Sequence, residues 1–237
     1  MKILFIRHAD PCRESFSITE KGRKEAYLLG MYLKKYKIDQ LLSGTSTRTA
    51  ETTSVIKSCC NISRIRYESW LDEFKFEIVL PNGKIQYPWE MPIEYWCNDE
   101  MLSFNNCMYS EIYKSGNIKE HAEFIWNKLD ILLGDYGYKR IDNYYNVKKA
   151  NNKCIVIVSH FATISVMLSR LLNISLPIML NSFWQAPSSY TSLMTEEVEE
   201  QKAIFRCIGY GGLEHIKDME ELKSYYGLQK ECYNSVL

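Results

Sequence analysis

The sequence reads KILFIRH at residues 2–8 and CIVIVSH at residues 154–160. Each run is rich in branched apolar residues and too short for a helix, which predicts a fully buried strand. His8 and His160 each fall where such a strand would end. Because open α/β sheets bind ligands outside the carboxyl ends of their strands, we expect both imidazoles in one pocket.

The composition of the chain excludes several classes of protein. Charged residues make up 24% and hydrophobic residues 46% of the 237 residues, with a formal net charge of zero. This balance argues against general binding to nucleic acid or to an anionic membrane. No apolar stretch has the length that spans a bilayer, and a cleavable secretory signal would remove the first histidine strand. We therefore expect a cytoplasmic protein.

The cysteines give no sign of a metal centre or a disulfide framework. All eight are scattered, and no two have C-x-x-C spacing. In a chain of this length this pattern predicts reduced thiols, several of them buried as small apolar groups. Zinc sites have closely spaced Cys and His ligands, which are absent from the sequence. We expect no metal and no organic cofactor.

Strand and helix patterns alternate along a single domain spanning residues 1–237. The first predicted elements are a helix from the capping box Ser17 to Glu20 with Thr19 as a rival N-cap, a strand at 39–43, a helix from Arg48 towards Cys59 and a strand at 65–70. In the second half of the chain we predict a helix from Asn117 to a stop at Gly134 and a helix at 162–172. The last predicted elements are a hairpin of 190–197 and 203–208 and a helical tail near 219–226. Residues 134–153 are predicted to be an exposed loop. Residues 74–116 are aromatic-rich without clear periodicity, and we interpret them as an inserted lid.

Five side chains with complementary chemistry follow strand ends or open helices. They are Arg7, His8, Arg48, Glu73 and His160. Guanidinium groups bind phosphoryl oxygens, and a helix N-terminus adds donors and a favourable dipole. A neutral imidazole can attack phosphorus, and a carboxylic acid can protonate a leaving oxygen. The set predicts phosphoryl transfer through a phosphohistidine without a metal.

At these positions the sequence resembles the histidine phosphatase superfamily, also called the phosphoglycerate mutase-like family. The matching segments, in the family's order, are Arg7-His8-Ala9, residues 18–22, residues 43–52, Leu71-Asp72-Glu73 and residues 156–172. The resemblance covers residues 1–73 and 153–172 well, and residues 185–215 more weakly. The Arg-His pair alone is a weak motif, whereas five matches in the right order are specific.

The resemblance implies a three-layer α/β/α sandwich with a mainly parallel central sheet and a phosphomonoester hydrolase acting on a small phosphorylated metabolite. It implies that His8 is the nucleophile and that Glu73 is the proton donor. Arg7, Arg48 and protonated His160 would hold the phosphate and stabilise its developing charge. A homodimer is left open. Asp72, Glu77 and Glu90 remain alternatives to Glu73.

Two glycines of the family pattern are replaced, by Ala9 and by Phe161. Alanine loses backbone freedom if its position needs a positive φ, and phenylalanine narrows the pocket or stacks on a substrate. Residues 10–13 replace the family's segment with a phosphate-binding asparagine. These departures leave a phosphoglycerate mutase-type isomerase and a non-catalytic phospho-ligand binding protein as alternative functions.

The predicted lid contains no arginine, although mutases of the family have an arginine-rich segment there. This favours the phosphatase over the mutase. We expect the lid to select the organic part of the substrate and to leave the phosphate to the core pocket. Truncating Trp96 or Phe161 is therefore predicted to change the ranking of substrates.

Overall fold

The structure is a computed structural model and describes residues 1–228. Its strands are β1 Lys2–Arg7, β2 Gln40–Ser43, β3 Ile65–Tyr67, β4 Ile78–Val79, β5 Ile85–Gln86, β6 Tyr138–Ile141, β7 Tyr144–Val147, β8 Cys154–Ser159, β9 Tyr190–Glu199 and β10 Lys202–Gly212. Its helices are α1 Glu20–Leu33, α2 Thr47–Cys59, α3 Ile93–Trp96, α4 Asp99–Leu102, α5 Glu111–Ser115, α6 Ile118–Asp135, α7 Phe161–Leu172 and α8 Leu176–Asn181. No helix among the described residues is long and apolar enough to cross a membrane.

The two histidine strands lie side by side in an eight-stranded sheet of order β3-β2-β8-β1-β9-β10-β7-β6. β1 pairs in parallel with β8, with Arg7 opposite Ser159. β9 and β7 run against β1, and the other five strands run with it. The prediction of a mainly parallel central sheet is confirmed, and the parallel half β3-β2-β8-β1 brings both histidines to one edge.

Alternate side chains of β1 point into two separate apolar layers. Ile3 and Phe5 join the cluster that also contains buried residues of α6 and α7. Leu4 and Ile6 join the other cluster, with Leu29 of α1 and the α2 residue Ile56. Because successive residues of a strand face opposite sides, a run with no polar interruption must be covered on both faces. The predicted three-layer α/β/α sandwich is confirmed.

The first two helices begin close to the predicted residues. Thr19 is the N-cap of α1, because its side-chain oxygen accepts from Gly22 N at 2.9 Å. The capping box at Ser17 is therefore wrong, and the rival N-cap is correct. α2 spans Thr47–Cys59, as predicted to within one residue. The strand predicted at 65–70 is too long, because β3 ends at Tyr67 and a 3₁₀ turn follows at Ser69–Leu71.

The chain between α6 and β8 differs most from the prediction. α6 continues through Gly134, and the backbone turns at Gly137, where φ is +90°. Asn117 is the N-cap of α6, as predicted, but it lies in the left-handed region and its side chain makes no capping bond within the described residues. The predicted loop at 134–153 is also wrong, because β6 and β7 form a hairpin that extends the sheet beside β10. Tyr138 and Tyr145 are fully buried there.

The C-terminal predictions have mixed outcomes. The hairpin is confirmed, with β9 and β10 both longer than predicted and joined through bulges. The helix near 219–226 is wrong, because only a 3₁₀ turn forms at Glu220–Leu222. The last of the eight cysteines, Cys232, lies outside the described residues, and the other seven are free thiols.

Residues 74–116 fold as short elements against the layer that contains α6 and α7. The β4–β5 hairpin and the small helices α3, α4 and α5 all lie in this segment. Phe74, Ile78, Met101 and Tyr113 are almost fully buried in the larger apolar cluster. The segment is therefore packed onto the sheet layer, and its role as a lid stays a prediction.

Candidate active site

The structure brings all five predicted site residues together at one edge of the sheet. Arg7 ends β1 and His8 follows it, His160 follows β8, Arg48 lies in the first turn of α2, and Glu73 follows the 3₁₀ turn after β3. The rings of His8 and His160 are 5.0 Å apart between centroids. The other four residues line a cleft of about 530 Å³, with His160 directly beneath it. Their catalytic roles stay predictions.

His8 is held in one tautomer by the backbone. Its Nδ1 lies 2.8 Å from the carbonyl oxygen of Ala9. A carbonyl oxygen only accepts, so Nδ1 carries the proton and Nε2 carries the free electron pair. Burial holds the pKa of His8 well below its ordinary value, and the charges of His160, Arg7 and Arg48 lower it further. The imidazole is therefore neutral, as a nucleophile requires.

Both glycine replacements fit the backbone without strain. Neither Ala9 nor Phe161 has a positive φ. Ala9 is fully buried, and its N–H donates to Thr52 Oγ1 at 3.0 Å. Phe161 is the first residue of α7, with His160 at the N-cap position, and it lines the cleft. The replacements change the shape of the cleft and leave the path of the main chain intact.

Arg7 is buried beside His8 and fixed by two carbonyl groups. Its Nη1 donates to Gln185 O at 2.5 Å and to Tyr226 O at 3.1 Å. Its Nε is buried and has no hydrogen-bond partner within residues 1–228. Burial lowers the pKa of Arg7 to about 10, opposed by the charge of Glu73. The guanidinium remains positive at neutral pH, and a bound anion would satisfy its remaining donors.

His160, Arg48 and Glu73 form a charged triad at the base of the cleft. The Arg48 Nη2 atom lies 3.0 Å from His160 Nδ1 and 3.5 Å from Glu73 Oε2. Glu73 Oε2 is also 3.4 Å from His160 Nδ1. The other ring nitrogen of His160, Nε2, is 3.1 Å from Ser46 Oγ. Each member of the triad therefore contacts the other two, and both ring nitrogens of His160 have a partner.

Glu73 is ionised in this arrangement. Desolvation raises the pKa of its carboxyl group, but His160, Arg48 and Arg7 together outweigh that effect and lower the pKa below its ordinary value. Among the described residues its second oxygen, Oε1, is buried with no hydrogen-bond partner. A buried unpaired carboxylate oxygen in a cleft is positioned to meet a group of an incoming ligand.

The alternatives to Glu73 lie in poorer positions. Asp72 accepts from Thr45 N at 2.7 Å and from Ser46 N at 2.9 Å, so it stabilises the turn before α2. Glu90 is exposed at the outer part of the cleft, and Glu77 does not line it. Geometry therefore favours Glu73 as the carboxyl group that serves the nucleophile.

Sequence spacing missed one metal-like arrangement. Ligand atoms of His8, Glu73 and His160 all lie within 4.8 Å of one another. These residues come from three distant segments, so no spacing motif connects them. Two histidines and a carboxylate can bind a divalent cation, but the guanidinium groups of Arg7 and Arg48 beside them repel one. The expectation of a metal-free site stays a prediction.

Sequence reasoning also missed most of the cleft's outer surface. Six aromatic side chains line it, which we call the aromatic wall: Phe16, Tyr87, Trp89, Phe161, Trp184 and Tyr226. Trp96 does not line the cleft and packs against the core instead, so its predicted contact with substrate is wrong. The segment 74–116 contributes Trp89 in its place. Because residues 74–116 show no periodicity, the sequence does not indicate which of the two tryptophans lines the cleft.

The remaining histidines lie outside the cleft. His215 Nε2 is 3.1 Å from Ser188 Oγ, and burial lowers its pKa to about 4. These contacts give His215 a structural role. The ring of His121 stacks on Phe76 at 3.3 Å between centroids.

Comparisons with known proteins agree with this geometry. Residues 3–81 match the family model of the histidine phosphatase superfamily, branch 1. A phosphoserine phosphatase from Entamoeba histolytica, solved with phosphoserine, superposes with a TM-score of 0.60 at 14% identity over 91% of this chain and 98% of its own. A mycobacterial glucosyl-3-phosphoglycerate phosphatase gives a TM-score of 0.57 at 14% identity over 89% of this chain and 99% of its own. No curated protein sequence matches significantly.

The resemblance to the histidine phosphatase superfamily is therefore confirmed. The family model covers the first part of the chain, which contains Arg7, His8, Arg48 and Glu73. The structural likeness extends over about nine-tenths of the chain. At these low identities the solved structures establish the fold, which is phosphoglycerate mutase-like.

Proposed function

We propose that this protein is a phosphomonoester hydrolase that acts on a small phosphorylated metabolite through a phosphohistidine intermediate. The observation that carries the proposal is the neutral His8, whose Nε2 is unprotonated and which lines an open cleft together with Arg7 and Arg48. A histidine with only a surface role does not need to be held in one tautomer. A nucleophile for phosphorus needs a free electron pair and a cationic pocket for the phosphoryl oxygens.

In the first half-reaction the phosphate group binds between Arg7 and Arg48. His8 Nε2 attacks phosphorus in line with the ester oxygen, so the phosphorus–nitrogen bond forms as the phosphorus–oxygen bond breaks. Arg7, Arg48 and protonated His160 stabilise the negative charge on the equatorial oxygens. The N-terminus of α7, which begins at Phe161 beside the cleft, adds a favourable dipole.

Glu73 supplies the proton for the leaving group. In the empty site its carboxylate pairs with His160 and Arg48. A bound phosphate competes for Arg48 and brings its own negative charge, so the pKa of Glu73 rises and the carboxyl group takes up a proton. Glu73 then gives this proton to the alcohol oxygen as it leaves.

The second half-reaction restores the resting site. Glu73, now a carboxylate again, takes a proton from a water molecule as that water attacks phosphorus. The phosphorus–nitrogen bond breaks, inorganic phosphate leaves, and the electron pair returns to His8 Nε2. No metal takes part in either step, because the two arginines provide the positive charge.

The alternatives make different predictions. A mutase would retain the phosphorylated product and return the phosphoryl group to a different oxygen. Residues 74–116 lack the arginines of the family's mutase pattern, which supports the phosphatase. A non-catalytic binding protein was suggested by the lost glycines, and that argument weakens because Ala9 and Phe161 need no positive φ.

A panel of phosphorylated metabolites assayed with excess EDTA tests the proposal. We expect release of inorganic phosphate from at least one ester, unaffected by the chelator. Loss of activity in EDTA, restored by a single divalent ion, would refute the metal-free mechanism. Interconversion of phosphoglycerates faster than phosphate release would establish the mutase, and binding without turnover would establish the binding protein.

We extend the proposal to the setting of the enzyme. We propose a cytoplasmic protein whose partner is a small-molecule phosphate ester, with no nucleic-acid or membrane partner. The zero formal net charge supports this part of the proposal. Size-exclusion chromatography with light scattering measures whether the chain is a monomer or the homodimer that the sequence left open.

A further inference from the structure

We infer that the preferred substrates are aryl phosphomonoesters, in which the phosphate is esterified to a phenolic oxygen. This inference rests on the proposed function and names its substrate class. The composition of the cleft around the phosphate position, the arrangement of its aromatic side chains and the state of its acid all point to a planar aromatic leaving group.

Aromatic rings begin at the phosphate-binding arginine itself. The ring centroid of Phe161 lies 5.9 Å from Arg7 Cζ, and that of Tyr226 lies 5.8 Å from the same atom. A phosphoryl group held by Arg7 therefore has these two rings within reach of its ester oxygen. The group attached directly to that oxygen meets aromatic faces and edges, which pack well against another ring.

The outer part of the aromatic wall is already arranged in stacked plates. Tyr87 and Trp89 are parallel, with centroids 4.6 Å apart and planes within 4°. Trp184 is nearly parallel to Tyr225 across 6.2 Å. Side chains that stack on each other lose little further freedom when a flat ligand arrives, so the cost of ordering them is low.

The cleft lacks the side chains that bind polyhydroxylated substrates. Within the described part of the chain, no serine, threonine, asparagine or glutamine side chain lines it. Sugars and hydroxy acids are usually held by such groups, because each buried hydroxyl needs a hydrogen-bond partner. Beyond the predicted site residues, the charged groups in the cleft are Arg13, Lys75 and Glu90. They suit charged substituents at the open end of an aromatic ester.

The resting state of the acid also suits a phenolic leaving group. Glu73 is tied to His160 and Arg48 as a carboxylate. A phenol has a pKa of about 10, far below that of an alkyl alcohol, so phenolate departs with little help from an acid. In this step the phosphorus–nitrogen bond to His8 forms as the phosphorus–oxygen bond breaks, the electron pair stays on the phenolate oxygen, and the phenolate takes up a proton from water after it departs.

The test compares phosphotyrosine with phosphoserine, which share the amino and carboxyl groups and differ in the leaving group. We expect kcat/KM for phosphotyrosine to exceed that for phosphoserine by about tenfold or more. Equal values, or a preference for phosphoserine, would overturn the inference while leaving the phosphatase proposal intact. Absence of phosphate release from every ester tested would instead refute the proposed function.

Two matched variants distinguish the loss of an aromatic wall contact from a general loss of activity. Trp89→Leu removes one plate of the wall, whereas Phe124→Leu changes a 53% exposed aromatic residue of α6 outside the cleft. We expect Trp89→Leu to reduce the phosphotyrosine preference by about two- to tenfold, the contribution of one ring contact, and Phe124→Leu to leave it unchanged. An unchanged preference in both variants would contradict the role of the wall.

Two further experiments test the role of Glu73 and ask whether the aryl ester is a free metabolite or part of a peptide. Glu73→Gln should lower kcat/KM for phosphoserine at least about tenfold more than for phosphotyrosine, because only the alkyl leaving group depends on the proton. Equal losses on both esters would contradict that dependence. Free phosphotyrosine, phenyl phosphate and a phosphotyrosine peptide are then compared, and the highest kcat/KM identifies a free metabolite or a peptide as the source.

Discussion

The floor of the cleft and the aromatic wall differ in where their residues lie in the chain and in how those residues contact one another. The floor consists of Arg7, His8, Arg48, Glu73 and His160, which come from the edge of the parallel half of the sheet and contact one another. The wall comes from five separate segments, and Phe16 and Tyr226 within it are exposed. In our proposal the floor carries out the reaction, and the wall selects the ester that enters.

The largest effect is expected from removing the nucleophile in the floor. His8→Ala deletes the unprotonated Nε2 that we propose attacks phosphorus, so we expect kcat to fall by roughly 10³-fold or more. Steady-state phosphate release measures the loss, and circular dichroism checks the fold. His121→Ala, outside the cleft, is the matched control and should keep its activity. Substantial turnover by His8→Ala would place the chemistry elsewhere.

The second effect concerns charge in the floor. Arg48→Gln removes a cation that contacts both His160 and Glu73, so we expect kcat/KM to fall by about 10²-fold. The exposed Arg64, in the turn before β3, provides the control variant Arg64→Gln. Comparable kinetics for the two variants would mean that Arg48 is a surface ion pair rather than a phosphate ligand.

A smaller effect is expected at the outer cation of the cleft. Arg13 lies over the Tyr226 ring, 5.4 Å from its centroid, and is exposed. Arg13→Gln should raise KM by about two- to fivefold with little change in kcat, and the difference should shrink at high salt. A fall in kcat of the size seen for Arg48→Gln would place Arg13 in the floor and break the distinction between the two regions.

The smallest effect on activity, but a measurable one on stability, is expected beneath the floor. Glu25 of α1 is fully buried, and its Oε2 accepts from Asp10 N at 2.9 Å, two residues beyond His8. Burial raises the pKa of Glu25 from 4.5 to about 8. The folded state therefore binds a proton that the unfolded state releases between these pH values, so the free energy of unfolding falls as pH rises through that window.

Glu25→Gln keeps the acceptor for Asp10 N and removes the titration. Urea unfolding at about pH 5 and at about pH 8 should show a decline for the wild-type protein that the variant lacks. Parallel declines in the two proteins would mean that Glu25 does not titrate in this range. Activity should change little, because Glu25 touches the loop backbone and not the cleft.

The sequence predicted the floor far better than the wall. β1 and β8 are unbroken apolar runs, so their strands, their burial and the meeting of His8 with His160 all followed from local pattern and sheet geometry. The wall combines side chains from distant segments without periodicity, and only packing decides that Trp89 faces the cleft while Trp96 does not. No local pattern carries that information.

The errors in the fold have a similar cause. Lys139 and Arg140 interrupt the apolar pattern of the β6–β7 hairpin, so the local sequence does not indicate a strand, although Tyr138 and Tyr145 are fully buried. The predicted helix stop at Gly134 is wrong, because α6 continues past it and the glycine with positive φ is Gly137. In both places tertiary packing against the edge of the sheet decided the structure, and propensity alone pointed elsewhere.

The central claim is that His8 carries the phosphoryl group during turnover. It is tested most directly by rapid quenching of the enzyme with a ³²P-labelled ester, followed by peptide mapping. The account predicts a label on the peptide containing His8 that is lost in acid, survives base, and is absent from His8→Ala. Turnover without any such label, or an acid-stable label on another residue, would contradict the account.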